Sequence, residues 1–210
     1  MAQIKTLSVG GLQTNCYILL ADSGDECLLI DPGGDPEIII NAVKSEEREL
    51  TYILCTHGHA DHTGGVHDVR KALGGKFYLN SQDFEYSNNP PEWLIGAIGG
   101  FTKPPSPDFS IQNQDNLDFG GGVIEFIRTP GHTPGSTCFL YEDILFTGDT
   151  LFFGSIGRYD LPGGDGDLEL KSIKDKLFVL DETIKVFPGH GPSTTIGREK
   201  KHNPFFKTRT

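Results

Sequence analysis

Apolar positions along the chain gather in short blocks of strand length, cut by Gly, Pro, Asn and Asp, and the blocks form two series. In the first, Gln3–Val9, Thr14–Leu20 and 27–31 read as strands, with Ala21-Asp22-Ser23-Gly24-Asp25 as a hairpin turn between the last two. Asp35-Pro36 then opens a helix, Asp35 as its cap and Ile38, Ile39, Ala42 and Val43 as its apolar stripe. A strand over 52–55, a helix over 62–73 and a strand over Lys76–Leu79 complete this half.

The second series repeats the first in outline. Residues 123–128, 136–141 and 144–147 are strand-like, and each is followed by a turn signal. Asp165-Gly166-Asp167 opens a helix whose Leu170, Ile173, Leu177 and Leu180 share a face, and 184–187 is a last strand. Residues 80–118 are the least legible. There, prolines bracket the short apolar piece Glu92-Trp93-Leu94-Ile95-Gly96-Ala97-Ile98, which reads as a surface excursion over 88–107, either a flap over a site or a packing loop. Strands with interposed helices in both halves predict an α/β fold of two packed sheets with helices outside, in one domain spanning 1–210.

Chemistry concentrates where the 52–55 strand ends. His57-Gly58-His59-Ala60-Asp61-His62 places three imidazoles and a carboxylate within six residues, the donor types that divalent ions of borderline hardness prefer. Downstream, His132 lies between Pro130-Gly131 and Pro134-Gly135, Asp149 follows Phe146-Thr147-Gly148, and His190 follows Pro188-Gly189. Taken one at a time, each would be an ordinary cap or surface residue. Together, four strand ends each deliver a metal-type side chain beside glycine, as a ligand site on a rigid scaffold requires. His67 and His202 stand on polar stretches and read as solvated.

The run His57-x-His59-x-Asp61-His62 resembles the signature of the metallo-β-lactamase superfamily. The remaining motifs fall in the family's order: Leu29-Ile30-Asp31-Pro32-Gly33-Gly34, Thr129-Pro130-Gly131-His132, Phe146-Thr147-Gly148-Asp149 and Phe187-Pro188-Gly189-His190. Within it the chain is similar to the short hydroxyacylglutathione hydrolases (glyoxalase II-like proteins). This resemblance implies a four-layer αββα sandwich of two similar halves. It also implies two divalent metal ions, zinc before iron or manganese: His57, His59 and His132 would hold one, Asp61, His62 and His190 the other, and Asp149 would bridge them. Asp61 and Asp149 would thus be the catalytic carboxylates. The implied activity is thioester hydrolysis, S-lactoylglutathione being the expected substrate, with a bridging hydroxide attacking the acyl carbonyl. Thiolate is a stable leaving group near neutral pH, so no dedicated general acid is required, and none stands out. A mononuclear iron persulfide dioxygenase and a lactonase are the alternatives. β-Lactam hydrolysis is disfavoured, because β-lactamases of the main zinc class carry a cysteine near the position of Asp149.

About twenty residues follow His190, so the helical domain with which longer glyoxalase II proteins hold glutathione is expected to be missing. Arg158 is then the candidate for binding a substrate carboxylate, with Arg198, Lys200 and Lys201 more plausibly a solvated helix face. A formal net charge of -11 argues against a nucleic-acid partner. There is no apolar run of about 18 residues and no signal-peptide pattern at the N-terminus, so a cytoplasmic, membrane-free protein is expected. Cys16, Cys27, Cys55 and Cys138 lack CxxC spacing and read as buried reduced thiols. Oligomeric state leaves no mark on the pattern.

Overall fold

The computed structural model describes residues 3–98 and 101–207. Met1-Ala2, Gly99-Gly100 in the middle of the proline-bracketed excursion, and the last three residues lie outside the described residues.

The first half builds a sheet in sequence order from β1 (Gln3–Val9), β2 (Thr14–Leu20), β3 (Glu26–Ile30), β4 (Glu49–Leu54), β5 (Lys76–Leu79) and β6 (Phe109–Ser110). β1, β2 and β3 are antiparallel, and the crossover through α1 (Pro36–Lys44) makes β4 parallel to β3. α2 (Ala60–Thr63) and α3 (Val66–Leu73) connect β4 to β5. α4 (Phe84–Asn88) and α5 (Glu92–Ile98) fill much of the excursion, with a short 3-10 turn over Ser81–Asp83 before them. The second sheet contains β7 (Asn116–Phe119), β8 (Gly122–Arg128), β9 (Thr137–Tyr141), β10 (Ile144–Gly148), β13 (Lys185–Pro188) and β14 (Thr194–Thr195), in the order β14-β13-β10-β9-β8-β7. Between β10 and β13 lie the small hairpin β11 (Leu151–Phe152) and β12 (Ser155–Ile156), then α6 (Gly166–Ser172), extended by a π-helical turn over Ile173–Leu177. α7 (Ile196–His202) follows β14.

Three apolar layers hold these elements, and they account for the αββα order. Tyr17, Leu28, Ile30 and Leu54 of the first sheet meet Phe119, Phe126, Phe139 and Phe146 of the second. Cys16, Ile18 and Leu29 point the other way, onto Ile39, Val43, Val66 and Val69 of α1 and α3. Leu145 and Val186 pack against Ile173, Leu177 and Ile196. Strands buried on both faces lose the polar alternation of a half-exposed sheet, which is why they appear as apolar blocks. All four cysteines are free and buried, as expected. Among the described residues no helix is long and apolar enough to cross a membrane.

Three local expectations are refined or corrected. Asp35 holds the N-cap position of α1, as expected, but in the left-handed region at φ 46°, and its carboxylate accepts from the Gly10 amide rather than from the helix. The buried stripe of α1 uses Ile40 where Ile38 was expected; Ile38 is 54% exposed. The helix over 62–73 breaks at Gly64-Gly65, where the Gly65 amide donates to the Pro32 carbonyl rather than continuing α2. The edge strands β6 and β14, two residues each, are too short to show a period.

Candidate metal centre

The site forms beyond the carboxyl ends of strands, where crossover topology leaves a crevice. β4 leads into Thr56, His57 and His59, and α2 supplies Asp61 and His62. β8 leads to His132, β10 to Asp149 and β13 to His190. Close backbone approach makes this possible. A Cβ on Gly33 would lie 1.5 Å from the Asp61 carbonyl, and one on Gly189 would lie 2.3 Å from Asp149 Oδ1. Glycine is therefore required at both positions. β2 fixes the His190 loop from the opposite sheet, since Tyr17 Oη and Asn15 Nδ2 both donate to the Pro188 carbonyl, at 2.6 and 3.0 Å.

Seven side chains converge in two sets. In the first, His59 Nδ1 stands 3.1 Å from His57 Nε2 and 3.0 Å from His132 Nε2. In the second, His190 Nε2 is 3.3 Å from Asp61 Oδ2, and His62 Nε2 is 3.6 Å from that same oxygen. Asp149 lies between the sets. Its Oδ1 faces His62 Nε2 at 3.4 Å and His190 Nε2 at 3.7 Å, while its Oδ2 faces His132 Nε2 at 3.7 Å. Every metal ligand named from the sequence is thus brought into one cluster, where the donor atoms of each group lie within 4.8 Å of one another.

Hydrogen bonds behind the rings decide which nitrogen points inward. Asp31, itself at φ 52°, accepts from His62 Nδ1 at 2.9 Å and from the amide and hydroxyl of Thr56, each at 2.8 Å. The Thr56 hydroxyl lies 3.1 Å from His57 Nδ1, and the Arg158 carbonyl accepts from His132 Nδ1 at 2.7 Å. His57 Nε2 and His132 Nε2 therefore converge on His59 Nδ1, three ring nitrogens without enough protons to satisfy one another. His62 Nε2 and Asp149 Oδ1 are buried with no hydrogen-bond partner among the described residues. A buried donor set that its own protons cannot satisfy fits divalent cations.

Electrostatics divides the two sets. Burial, reinforced by the neighbouring imidazoles, holds His57 well below the ordinary imidazole range, and the same causes bring His59 down to about 4 despite Asp61 and Asp149. Burial also opposes a proton on His62, but Asp149, Asp31 and Asp61 outweigh it and raise its pKa well above ordinary; Asp61 and Asp149 raise His190 against the same opposition. Burial would raise Asp149 and Asp61, yet the imidazoles facing them keep both below the usual carboxylate range. Without cations, the carboxylates favour protons on His62 and His190. Metal entering the second set must expel them, so its affinity should fall as pH drops from 8 to 6, by about tenfold per pH unit for each displaced proton. His57 and His59 are held low, so those two ligands add little pH dependence to the first set. Titration calorimetry in buffers of different ionisation heat checks this; equal pH dependence at both sets would refute it.

Arg158 contributes its carbonyl to the cluster and not its guanidinium. The side chain is exposed, pairs twice with Asp160 at 2.9 and 3.0 Å, and borders a separate depression with Tyr159 and Phe205. Lys200 and Lys201 pair with Glu182, and Arg198 pairs with Glu199 while stacking on Phe153. His67 and His202 are exposed and outside the cluster.

Two carboxylates with no role in the sequence reading support the site. Asp83, in the 3-10 turn, accepts from the Gly58 amide at 2.9 Å, the Thr133 hydroxyl at 2.6 Å and the Gly135 amide at 2.7 Å. It thereby clasps the His57-Gly58-His59 loop to the His132 loop. Glu169 is fully buried; burial and nearby Asp149 push it up to about 9, partly offset by the His132 and Gly157 amides, so it is uncharged at neutral pH. Nothing in the chain around Asp83 marks it, whereas Glu169 occupies a helix position where a charged residue ordinarily faces solvent.

Comparison with known proteins agrees with this geometry. The family model of the metallo-beta-lactamase superfamily matches residues 9–190. The chain is 35% identical to the hydroxyacylglutathione hydrolase GloC of Haemophilus influenzae, covering 99% of each protein. It superposes on the crystal structure of BLEG-1 B3 metallo-beta-lactamase with a TM-score of 0.90 and 40% identity, over 98% of this chain and 100% of that one. It superposes on TTHA1623 in a di-iron-bound form with a TM-score of 0.83 and 35% identity, over 96% and 100%.

Proposed function

The chain belongs to the metallo-beta-lactamase superfamily of metallo-hydrolases, and from that premise we propose that it is a dinuclear thioester hydrolase acting on hydroxyacylglutathione-like substrates. The observation that carries the reading is the placement of Asp149, one oxygen turned to each ligand set. A mononuclear iron centre would need only the first set and Asp149, and would leave Asp61, His62 and His190 converging on nothing. Likeness to GloC over nearly the full length of both proteins supports the substrate class, and likeness to a di-iron protein supports two ions.

His57, His59 and His132 would hold one ion, Asp61, His62 and His190 the other, and Asp149 both. Ions held there would supply Lewis acidity, lowering the pKa of bound water towards neutrality and polarising an acyl carbonyl. The chain supplies rigidity. Asp31, Thr56 and the Arg158 carbonyl lock three rings, and Asp83 locks the loops that carry them, so little reorganisation accompanies binding.

Purified protein reconstituted with zinc, iron or manganese should hold two ions per chain by elemental analysis and should hydrolyse S-lactoylglutathione. A stable stoichiometry of one, or no thioester turnover in any metal form, would overturn the reading. The likeness to BLEG-1 favours a second one, β-lactam hydrolysis. The same metal-loaded protein turning over a chromogenic cephalosporin faster than any thioester would establish it.

A further inference from the structure

The α4–α5 excursion walls a pocket of about 540 Å³ that opens on His59 of the first ligand set. This is within the range of small-molecule sites, roughly 300 to 1,000 Å³. Tyr86, Trp93, Leu94, Leu161 and Pro162 give it an aromatic and aliphatic lining. Its charged side chain is an acid, Glu85, and no Lys or Arg lines it among the described residues. The cations that sequence reasoning offered to a substrate carboxylate are engaged elsewhere: Arg158 with Asp160, Lys200 and Lys201 with Glu182, Arg198 with Glu199. Glutathione carries two carboxylates and one ammonium; this lining offers no side-chain cation to the carboxylates and only Glu85 to the ammonium.

We infer that this pocket selects thioesters by an uncharged aromatic or branched apolar substituent seated against Trp93 and Leu161, and that glutathione's charges contribute little to binding. The inference rests on the thioester-hydrolase reading for the identity of the substrate, but the pocket itself can be tested without turnover. Trp93 is the chain's one tryptophan and is 55% exposed, so its emission reports occupancy of the pocket directly.

Two thioethers that cannot be hydrolysed serve as probes on the zinc-loaded full chain: S-benzylglutathione, and S-benzyl-N-acetylcysteamine, which keeps the benzyl group and lacks the carboxylates. Both should shift Trp93 emission, with Kd values within about threefold of one another. Leu161→Ala should weaken both by about tenfold, as expected when roughly 60 Å² of apolar contact is lost. Glutathione-conjugate binding more than tenfold tighter, or binding by calorimetry with Trp93 emission unchanged, would overturn the inference. Hydrolysis of S-lactoylglutathione is measured alongside. Turnover with silent Trp93 removes the pocket and keeps the hydrolase; benzyl binding with no thioester turnover removes the hydrolase and keeps the pocket.

Discussion

Asp149→Ala yields a folded protein that retains at most one tightly held ion per chain and hydrolyses thioesters at least about a hundredfold more slowly. The carboxylate faces both ligand sets, so its loss removes an anionic donor from each. Polarisation by a bound cation is worth several kcal/mol of transition-state stabilisation, so losing about 3 kcal/mol with one ion slows the reaction by about a hundredfold or more. Folding should survive, because Asp149 is surrounded by imidazoles that can shed their protons once it is gone. Elemental analysis, circular dichroism and steady-state rates are the measurements. Near-normal rates with two ions retained would refute the bridging assignment.

Asp83→Ala should cause the largest loss of stability of any single substitution at the site. It strands the Gly58 and Gly135 amides in the interior, while the Thr133 hydroxyl keeps Ser136 as its partner. Each buried donor left without a partner costs about 1 to 3 kcal/mol, so about 3 kcal/mol or more is expected. In a chain of this size that corresponds to a fall in Tm of about 6 to 12 °C. Both loops it clasps carry ligands of the first set, so affinity there should drop by about 10- to 100-fold while the second set is spared. Calorimetric melting and metal titration of the variant check both parts. A Tm within about 2 °C of the parent, with first-set affinity intact, would show that the loops hold themselves.

The two supporting carboxylates show where reading a sequence stops. His57, His59, Asp61 and His62 were legible because one loop carries them, and His132, Asp149 and His190 because glycine and proline mark strand ends around them. Asp31 was visible inside its motif, but its contact with His62 spans 31 positions, and a left-handed aspartate has no local signature. Asp83 reaches 25 positions back and 50 forward, from a segment without period. Arg158 drew notice as the cation nearest the Asp149 segment, yet the adjacent Asp160 took its guanidinium and the fold used its carbonyl. Glycine at Gly64-Gly65 broke a helix that side-chain period alone extends, because the 32–34 loop needed the space. Periodicity reports the faces of elements; it carries no record of which distant backbone group meets which side chain.

Neither sheet holds a complete ligand set. The first needs His132 from beyond β8, and the second needs His190 from beyond β13, joined to residues that follow β4. Capture of either ion must therefore wait until the two halves have docked, when the Thr137 amide meets the Thr56 carbonyl and Tyr17 meets Pro188. A nascent first half, carrying His57, His59, Asp61 and His62 alone, has no means of assembling the centre and sequestering metal early. Once docked, an ion held by either set would rivet one half to the other. At a free concentration a thousandfold above its Kd, it adds about 4 kcal/mol against their separation. Metal supply would then set the lifetime of the fold as well as its chemistry.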